Sequence, residues 1–213
     1  MFEIRYSAQA RQFLRKANKA DADRIRAKIE QYAEAPDSLK NQIKRLQGLP
    51  YYRLRVGDYR VIFNETGAIM KIEKIGKRGT FTGEFTGEFK GMNAEVLTIK
   101  GEKFAIIPLA VYEKLIEMIE DAQDAADAKA IEKRIARGER EYMPASVVNA
   151  ILDGASPVRV YREYRKKTQA ELAAEAGLSV DMIKKIESGK SDGSLKSLKA
   201  IAKALKVDLE DIV

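Results

Sequence analysis

At 213 residues the chain is long enough for two small domains, each with a core of its own. It has no His and no Cys, which excludes a conventional zinc site, Ser-His and Cys-His nucleophile pairs and imidazole acid/base chemistry. Any catalysis falls to Arg, Lys, Tyr or carboxylates, with no metal and no cofactor expected. The net charge of +7 is unevenly spread: residues 1–91 hold 19 Lys and Arg against 11 Asp and Glu, residues 92–156 hold 8 against 12, and residues 157–213 hold 12 against 9. Two basic ends around an acidic middle suggest polyanion partners for the ends, with one end held by the centre. No apolar run reaches the roughly 18 residues of a membrane span, and no apolar leader opens the chain, so no membrane partner and a cytoplasmic location are expected.

Phe2 to Tyr6 alternates as a short strand. Ser7 caps a helix with Ala10, Phe13, Leu14 and Ala17 on its apolar side, Asn18 breaks it, and a second helix carries Ile25, Ile29 and Tyr32 before Pro36. Such an αα-hairpin needs a sheet to lie on. Tyr51 to Phe63 provides it, with Gly57-Asp58 as a two-residue turn. Pairing outward from that turn sets Val56 opposite Tyr59, Arg55 opposite Arg60, Leu54 opposite Val61, Arg53 opposite Ile62 and Tyr52 opposite Phe63. One face is apolar and the other gathers Arg53, Arg55 and Arg60. Directly opposed like charges destabilise a strand pair, so the cluster reads as an anion site; a solvated face with splayed arginines is the alternative. A third strand runs from Ala68 to Ile75, and Lys77 and Arg78 add cations at its end.

Strand, two helices and antiparallel sheet, with Tyr-Arg-Leu-Arg-Val-Gly-Asp-Tyr-Arg-Val-Ile-Phe and then Ile-Gly-Lys-Arg-Gly, resemble the RelE/ParE superfamily of bacterial toxins over residues 1–80. In the RelE branch the toxin cuts messenger RNA on the ribosome, the 2′-hydroxyl attacking the neighbouring phosphate. The resemblance implies catalytic roles for Arg53, Arg55, Arg60, Lys77 and Arg78, guanidiniums being suited to bidentate phosphate contact and to developing oxyanion charge. RelE toxins commonly end this motif with a Tyr that assists proton transfer; here Phe81 and Thr82 stand there, leaving Lys77, Glu84 and Tyr51 as proton-transfer candidates.

From Gly79 to Met92 a stretch with a doubled Thr-Gly-Glu-Phe unit and four glycines in all reads as a join, or as a β-hairpin arm burying Phe81, Phe85 and Phe89. Beyond it, Glu95 to Ile99 and Lys103 to Ile107 form a hairpin, and Pro108 opens a helix carrying Tyr112, Leu115, Ile116 and Ile119. The acidic run Glu117, Glu120, Asp121, Asp124 and Asp127 follows, and Ile131 and Ile135 continue a sparse apolar stripe to Gly138. This segment reads as a clamp on a basic partner or as an ordinary solvated helix. It looks like the toxin-binding part of an antitoxin, its hairpin distantly similar to Phd-type antitoxins; that implies toxin-neutralising contacts through Tyr112, Leu115, Ile116, Ile119, Ile131 and Ile135.

A short helix is expected over Ala145 to Leu152, then helices over Val158 to Lys166, from Thr168 to the Gly177 turn, over Ser179 to Ser188 and over Ser194 to Leu205, with Leu209 to Val213 closing the bundle. Leu172, Ala173, Ala176, Leu178, Ile183 and Ile186 have the spacing that packs two helices across a glycine turn. Residues 157–213 resemble the Xre/Cro-type helix-turn-helix. The resemblance implies that Val180, Asp181 and Lys185 face base edges while Gln169, Ser179 and Lys190 meet phosphate; Asp181 either accepts from cytosine or caps its helix.

The expected architecture is α+β: a RelE-like toxin domain over 1–79, a linker over 80–91, a toxin-neutralising segment over 92–140 and an all-α DNA-binding domain over 141–213. The expected function is a type II toxin–antitoxin fusion, an mRNA endonuclease held silent beside a tail that autorepresses its promoter. A regulator with an inert head and a ParE-like gyrase inhibitor are the alternatives. The implied partners are operator DNA, mRNA and the ribosome, and the chain itself within or between copies of a homo-oligomer.

Overall fold

The computed structural model describes residues 1–46, 48–77, 95–99, 102–138 and 141–213. The head opens with β1 (Glu3–Tyr6), α1 (Ala8–Lys16) and α2 (Lys19–Glu34), followed by β2 (Ile43–Arg45), β3 (Tyr52–Val56), β4 (Tyr59–Thr66) and β5 (Ile69–Lys77). Both helix starts are fixed by capping side chains: Ser7 accepts from the Ala10 amide and Asn18 from the Asp21 amide. The β3–β4 register is the one read from the turn, Arg55 opposite Arg60 and Arg53 opposite Ile62, and Gly57 takes the positive φ of 57° that the turn requires. Leu54, Val61, Phe63, Ile25 and Ile29 are all fully buried between the αα-hairpin and the sheet. Each such side chain contributes about 1.5–3 kcal/mol through removal from water.

The sheet has six strands in the order β2-β3-β4-β5-β1-β8, the last being Met143–Pro144, with β1 parallel to β5 and the rest antiparallel. Two strands were not visible in the sequence. β2 is three residues of Ile-Lys-Arg with no alternation to read, and β8 (Met143–Pro144) pairs with Arg5 and Tyr6 at the far edge. A hairpin, β6 (Glu95–Ile99) with β7 (Glu102–Ile106), forms a separate two-stranded sheet. The segment Gly79–Met92, and with it the expected linker 80–91, lies outside the described residues.

One helix, α3 (Leu109–Ala136), runs from Pro108 to the Gly138 turn. α4 (Ala145–Leu152), α5 (Pro157–Tyr164), α6 (Gln169–Ala176), α7 (Val180–Glu187) and α8 (Leu195–Leu205) complete the tail, ending in a 3-10 turn over Leu209–Asp211. α5 ends two residues before the expected Lys166, because Lys166 itself adopts the left-handed conformation, φ 55°. Separate cores for head and tail were expected. Instead one apolar cluster runs from Tyr6, Ala10 and Leu14 through Val147, Val148, Val158 and Tyr161 to Leu172, Ile183 and Ile201. α3 lies on the polar face and α4 packs with α1 and β1 on the other, with β8 pairing with β1 at the sheet edge between them.

Candidate functional site

The polar face of the sheet is where α3 lies. Strand register builds a cation row across it: Lys44 on β2 opposes Arg53 on β3, Arg53 opposes Ile62 on β4, and Ile62 opposes Lys74 on β5. Arg55 and Arg60 oppose each other in the next row of the same face. Each strand from β2 to β5 thus offers at least one cation to the helix above.

α3 answers with Glu117, Glu120, Asp121, Asp124 and Asp127, the last three each shared between two neighbouring strands. Lys44 Nζ donates to Asp121 Oδ2 at 2.7 Å and to Glu117 Oε1 at 2.9 Å. Arg53 Nη1 donates to Asp124 Oδ2 at 2.8 Å and to Asp121 Oδ1 at 3.1 Å. Arg55 Nη2 donates to Glu120 Oε2 at 2.6 Å. Arg60 Nε lies 3.2 Å from Asp124 Oδ1, and its Nη2 lies 3.3 Å from Asp127 Oδ2. Lys74 Nζ donates to Asp127 Oδ1 at 2.6 Å. The sequence places these acids on one helix face because 117, 120/121, 124 and 127 recur at three- and four-residue intervals.

Burial sets the energetics. Arg53 is 2% exposed, Arg60 3% and Asp124 0%. Complete burial pushes the Asp124 carboxyl above the ordinary carboxylate range, while the Arg53 and Arg60 guanidiniums pull it back. Removing one member of such a group leaves an uncompensated buried charge and costs about 3–5 kcal/mol. Glu117, at the solvent side, is held below its usual range by its hydrogen bond to Lys44, whose ammonium is raised in turn by Asp121 and Glu117. Beside the charges sits a small apolar patch, Ala128 and Ile131 of α3 on Leu46, Tyr51 and Ile62, with Ile135 at its margin.

Of the residues implied as catalytic, the structure gathers Arg53, Arg55 and Arg60 under α3; Lys77 ends β5, exposed, its carbonyl accepting from Arg60 at 3.1 Å. Arg78 and Glu84 lie outside the described residues. Tyr51 is 2% exposed beneath α3, and burial pushes its phenol up to about 12, so it stays protonated at neutral pH. Lys44 and Lys74 were missed: β2 gave no alternation, and the bulge between Ile62 and Phe63 breaks the period of β5 just where Lys74 sits. Among the residues expected to neutralise the head, Ile131 and Ile135 are placed on it. Tyr112, 52% exposed, and Ile116 line only a shallow groove beside Arg55, and Leu115 and Ile119 are half-buried; the carboxylates make the main contact instead.

The tail presents a second surface. Thr168 and Glu171 form a capping box at the start of α6, and Gly177, φ 64°, makes the turn into α7, which Ser179 caps by accepting from the Met182 amide. Val180, Asp181, Lys185 and Lys190 are exposed at α7 and its end. Asp181 does not cap: it pairs with Lys185 at 2.8 Å, which lowers the carboxyl and raises the ammonium. Gln169 donates to Glu187 at 2.8 Å, and Glu187 is gripped by Arg162 at 2.6 Å, so Gln169 is oriented from within.

No helix among the described residues is long and apolar enough to cross a membrane. Residues 4–80 match the family model described as ParE toxin of the type II toxin-antitoxin system parDE, and residues 158–212 match a helix-turn-helix model. No curated protein matches the chain. The head is thus of the ParE type within the RelE/ParE superfamily, and the chain joins a toxin domain at its N-terminal end to a helix-turn-helix DNA-binding domain at its C-terminal end.

Proposed function

We propose that this chain is a toxin and its antitoxin in one polypeptide, the head kept silent in cis by α3 while the tail binds operator DNA and represses its own promoter. On this reading residues 1–79 are the toxin, 92–140 the neutralising segment and 141–213 the DNA-binding part, acting as a homo-oligomer on an inverted repeat. The observation that carries it is Asp124, without solvent exposure, between Arg53 and Arg60. Opposed guanidiniums gain nothing from one another in folding, and a helix supplies the anion that a target would otherwise supply. The test is expression of the full chain with Asp124→Lys. Growth arrest, relieved by adding Arg53→Ala and Arg60→Ala, is expected; normal growth with soluble, α3-displaced protein overturns the proposal.

For the head's target, the arginine face supports RNA, with Arg53, Arg55 and Arg60 binding the scissile phosphate and stabilising its charge. Proton transfer is the weak point, since arginine is a poor shuttle and the usual Tyr is replaced. The ParE-type match favours a second reading, inhibition of DNA gyrase by the same face. Ribosome-dependent mRNA cleavage and gyrase supercoiling, each assayed with the opened full chain, separate the two. Activity in neither assay, with operator binding retained, would mean a regulator with an inert head.

A further inference from the structure

We infer that Lys44 and Lys74, which no toxin motif in the sequence marks, are the two ends of a linear phosphate track across the head. This rests on the RNA reading above and specifies its ligand: a single strand lying across β2 to β5, several consecutive phosphates at once, rather than one phosphate at the arginines. The track is built by register, since Lys44, Arg53, Ile62 and Lys74 are successive cross-strand partners on one face. Three strand spacings of about 4.8 Å make its length roughly 14 Å.

α3 is shaped as the substitute for such a strand. From Glu117 to Asp127 it advances ten residues, about 15 Å at 1.5 Å per residue, which matches the length of the row. Its carboxylates reach the cations in order: Glu117 and Asp121 to Lys44, Asp121 and Asp124 to Arg53, Asp124 and Asp127 to Arg60, Asp127 to Lys74. A helix that only had to neutralise the arginines would need Glu120 and Asp124. The outer acids extend the contact to the two lysines, one strand beyond the arginines on each side. Lys44 keeps 38% of its side chain exposed and Lys74 28%, against 2% for Arg53, so the ends of the row remain open to solvent when the middle is closed. A strand entering the face meets those ends first.

The experiment uses the full chain opened by Glu120→Gln, Asp121→Asn, Asp124→Asn and Asp127→Asn together, with Asp124→Lys alone as a second opening should the fourfold variant not stay soluble. Binding of a short fluorescein-labelled single-stranded RNA is followed by anisotropy over a salt series, with the unopened chain reporting what the tail contributes. In the opened background Lys44→Gln and Lys74→Gln are each expected to weaken binding several-fold and to flatten the log–log salt slope by about 0.7, the value for one phosphate contact on a single strand. Lys44→Arg and Lys74→Arg should restore both. Unchanged affinity and slope in the Gln variants, with RNA still bound by the opened chain, overturn the track and leave the RNA reading standing. Binding by the opened chain no greater than by the unopened one overturns both together, and gyrase inhibition surviving in that case points to a protein target.

Discussion

The head is held by the rest of the chain in two places, and the two are made of different physics. On the polar face α3 contacts the sheet through ten residues of alternating sign around Arg53, Arg60 and Asp124, with only a small apolar patch beside them. On the other side the tail continues the head's own core: Val147, Val148, Val158 and Tyr161 join Tyr6, Ala10 and Leu14, and one buried pair, Arg11 with Asp211 at 2.8 Å, is set among them. Arg15 and Lys16 reach Glu210 at the margin of this dock. Charge at an interface can be exchanged for charge on another molecule, because a polyanion offers the cations what α3 offers them. An apolar core offers no such exchange, since water is its only competitor. The head's charged face is therefore expected to open while the DNA-binding tail stays attached.

The largest effect is expected at the centre of the charged contact. Asp124→Ala leaves two guanidiniums buried without their shared anion, a loss of about 3–5 kcal/mol. Hydrogen exchange should show α3 amides over 117–131 losing protection while α4, α5 and β8 keep theirs. Loss of protection in both regions at once would mean the two contacts are one cooperative unit. At the dock, Arg11→Met removes the guanidinium and leaves Asp211 buried at 0% exposure with only its capping role toward the Asp208 amide. A destabilisation of roughly 3 kcal/mol is expected from the orphaned charge, read as a lower denaturant midpoint, with α3 protection unchanged. Ile131→Ala tests the apolar part of the charged contact and should cost about 2–4 kcal/mol, less than Asp124→Ala if charge dominates there.

Glu73 lies between the two contacts, at the bulge of β5, accepting from the Tyr142 hydroxyl at 2.9 Å. Burial raises its carboxyl above the usual range, the Tyr142 hydrogen bond and Arg134 acting against it. A carboxyl whose folded value is raised binds its proton more tightly in the folded state, so its contribution to stability is present at acid pH and is lost as pH rises through the raised value. Glu73→Gln should accordingly be more stable than the parent at neutral pH, with the difference shrinking as pH falls through the carboxylate range. Melting temperatures of the two proteins over that range decide it; a constant difference would place Glu73's charge outside the linkage.

Much of this was legible because it is local. The β3–β4 register followed from Gly57-Asp58, the helix starts from Ser7, Asn18, Thr168 and Ser179, and the arginine face from simple alternation. The acidic run reads as a clamp or as a solvated helix, and the contact it makes is not legible: which of 112, 116, 124 and 131 touches the head depends on the crossing of α3 over the sheet, and no sequence period encodes that. Lys44 and Lys74 were hidden for a related reason. A strand of three residues and a strand interrupted by a bulge both lack the period that reveals a face. The shared core of head and tail was invisible because β8 is two residues long and its pairing partner lies some 140 positions earlier.

The smallest effect on stability sharpens the contrast from the other side. Asp181 and Lys185 form an ion pair of one turn on α7, with side chains 71% and 54% exposed, so solvent screens it and its loss should leave the melting temperature unchanged. Its value lies elsewhere: as paired, Lys185 is partly neutralised and Asp181 repels phosphate. Asp181→Asn frees the ammonium at the face expected to meet DNA, and should tighten binding to duplex of any sequence few-fold while steepening its salt dependence by about one phosphate contact. If the same variant instead lost discrimination among sequences with no gain in non-specific affinity, Asp181 would be reading a base, as an acceptor from cytosine does. The buried pairs bear on stability, and this exposed one, on the same chain, is expected to bear only on DNA binding.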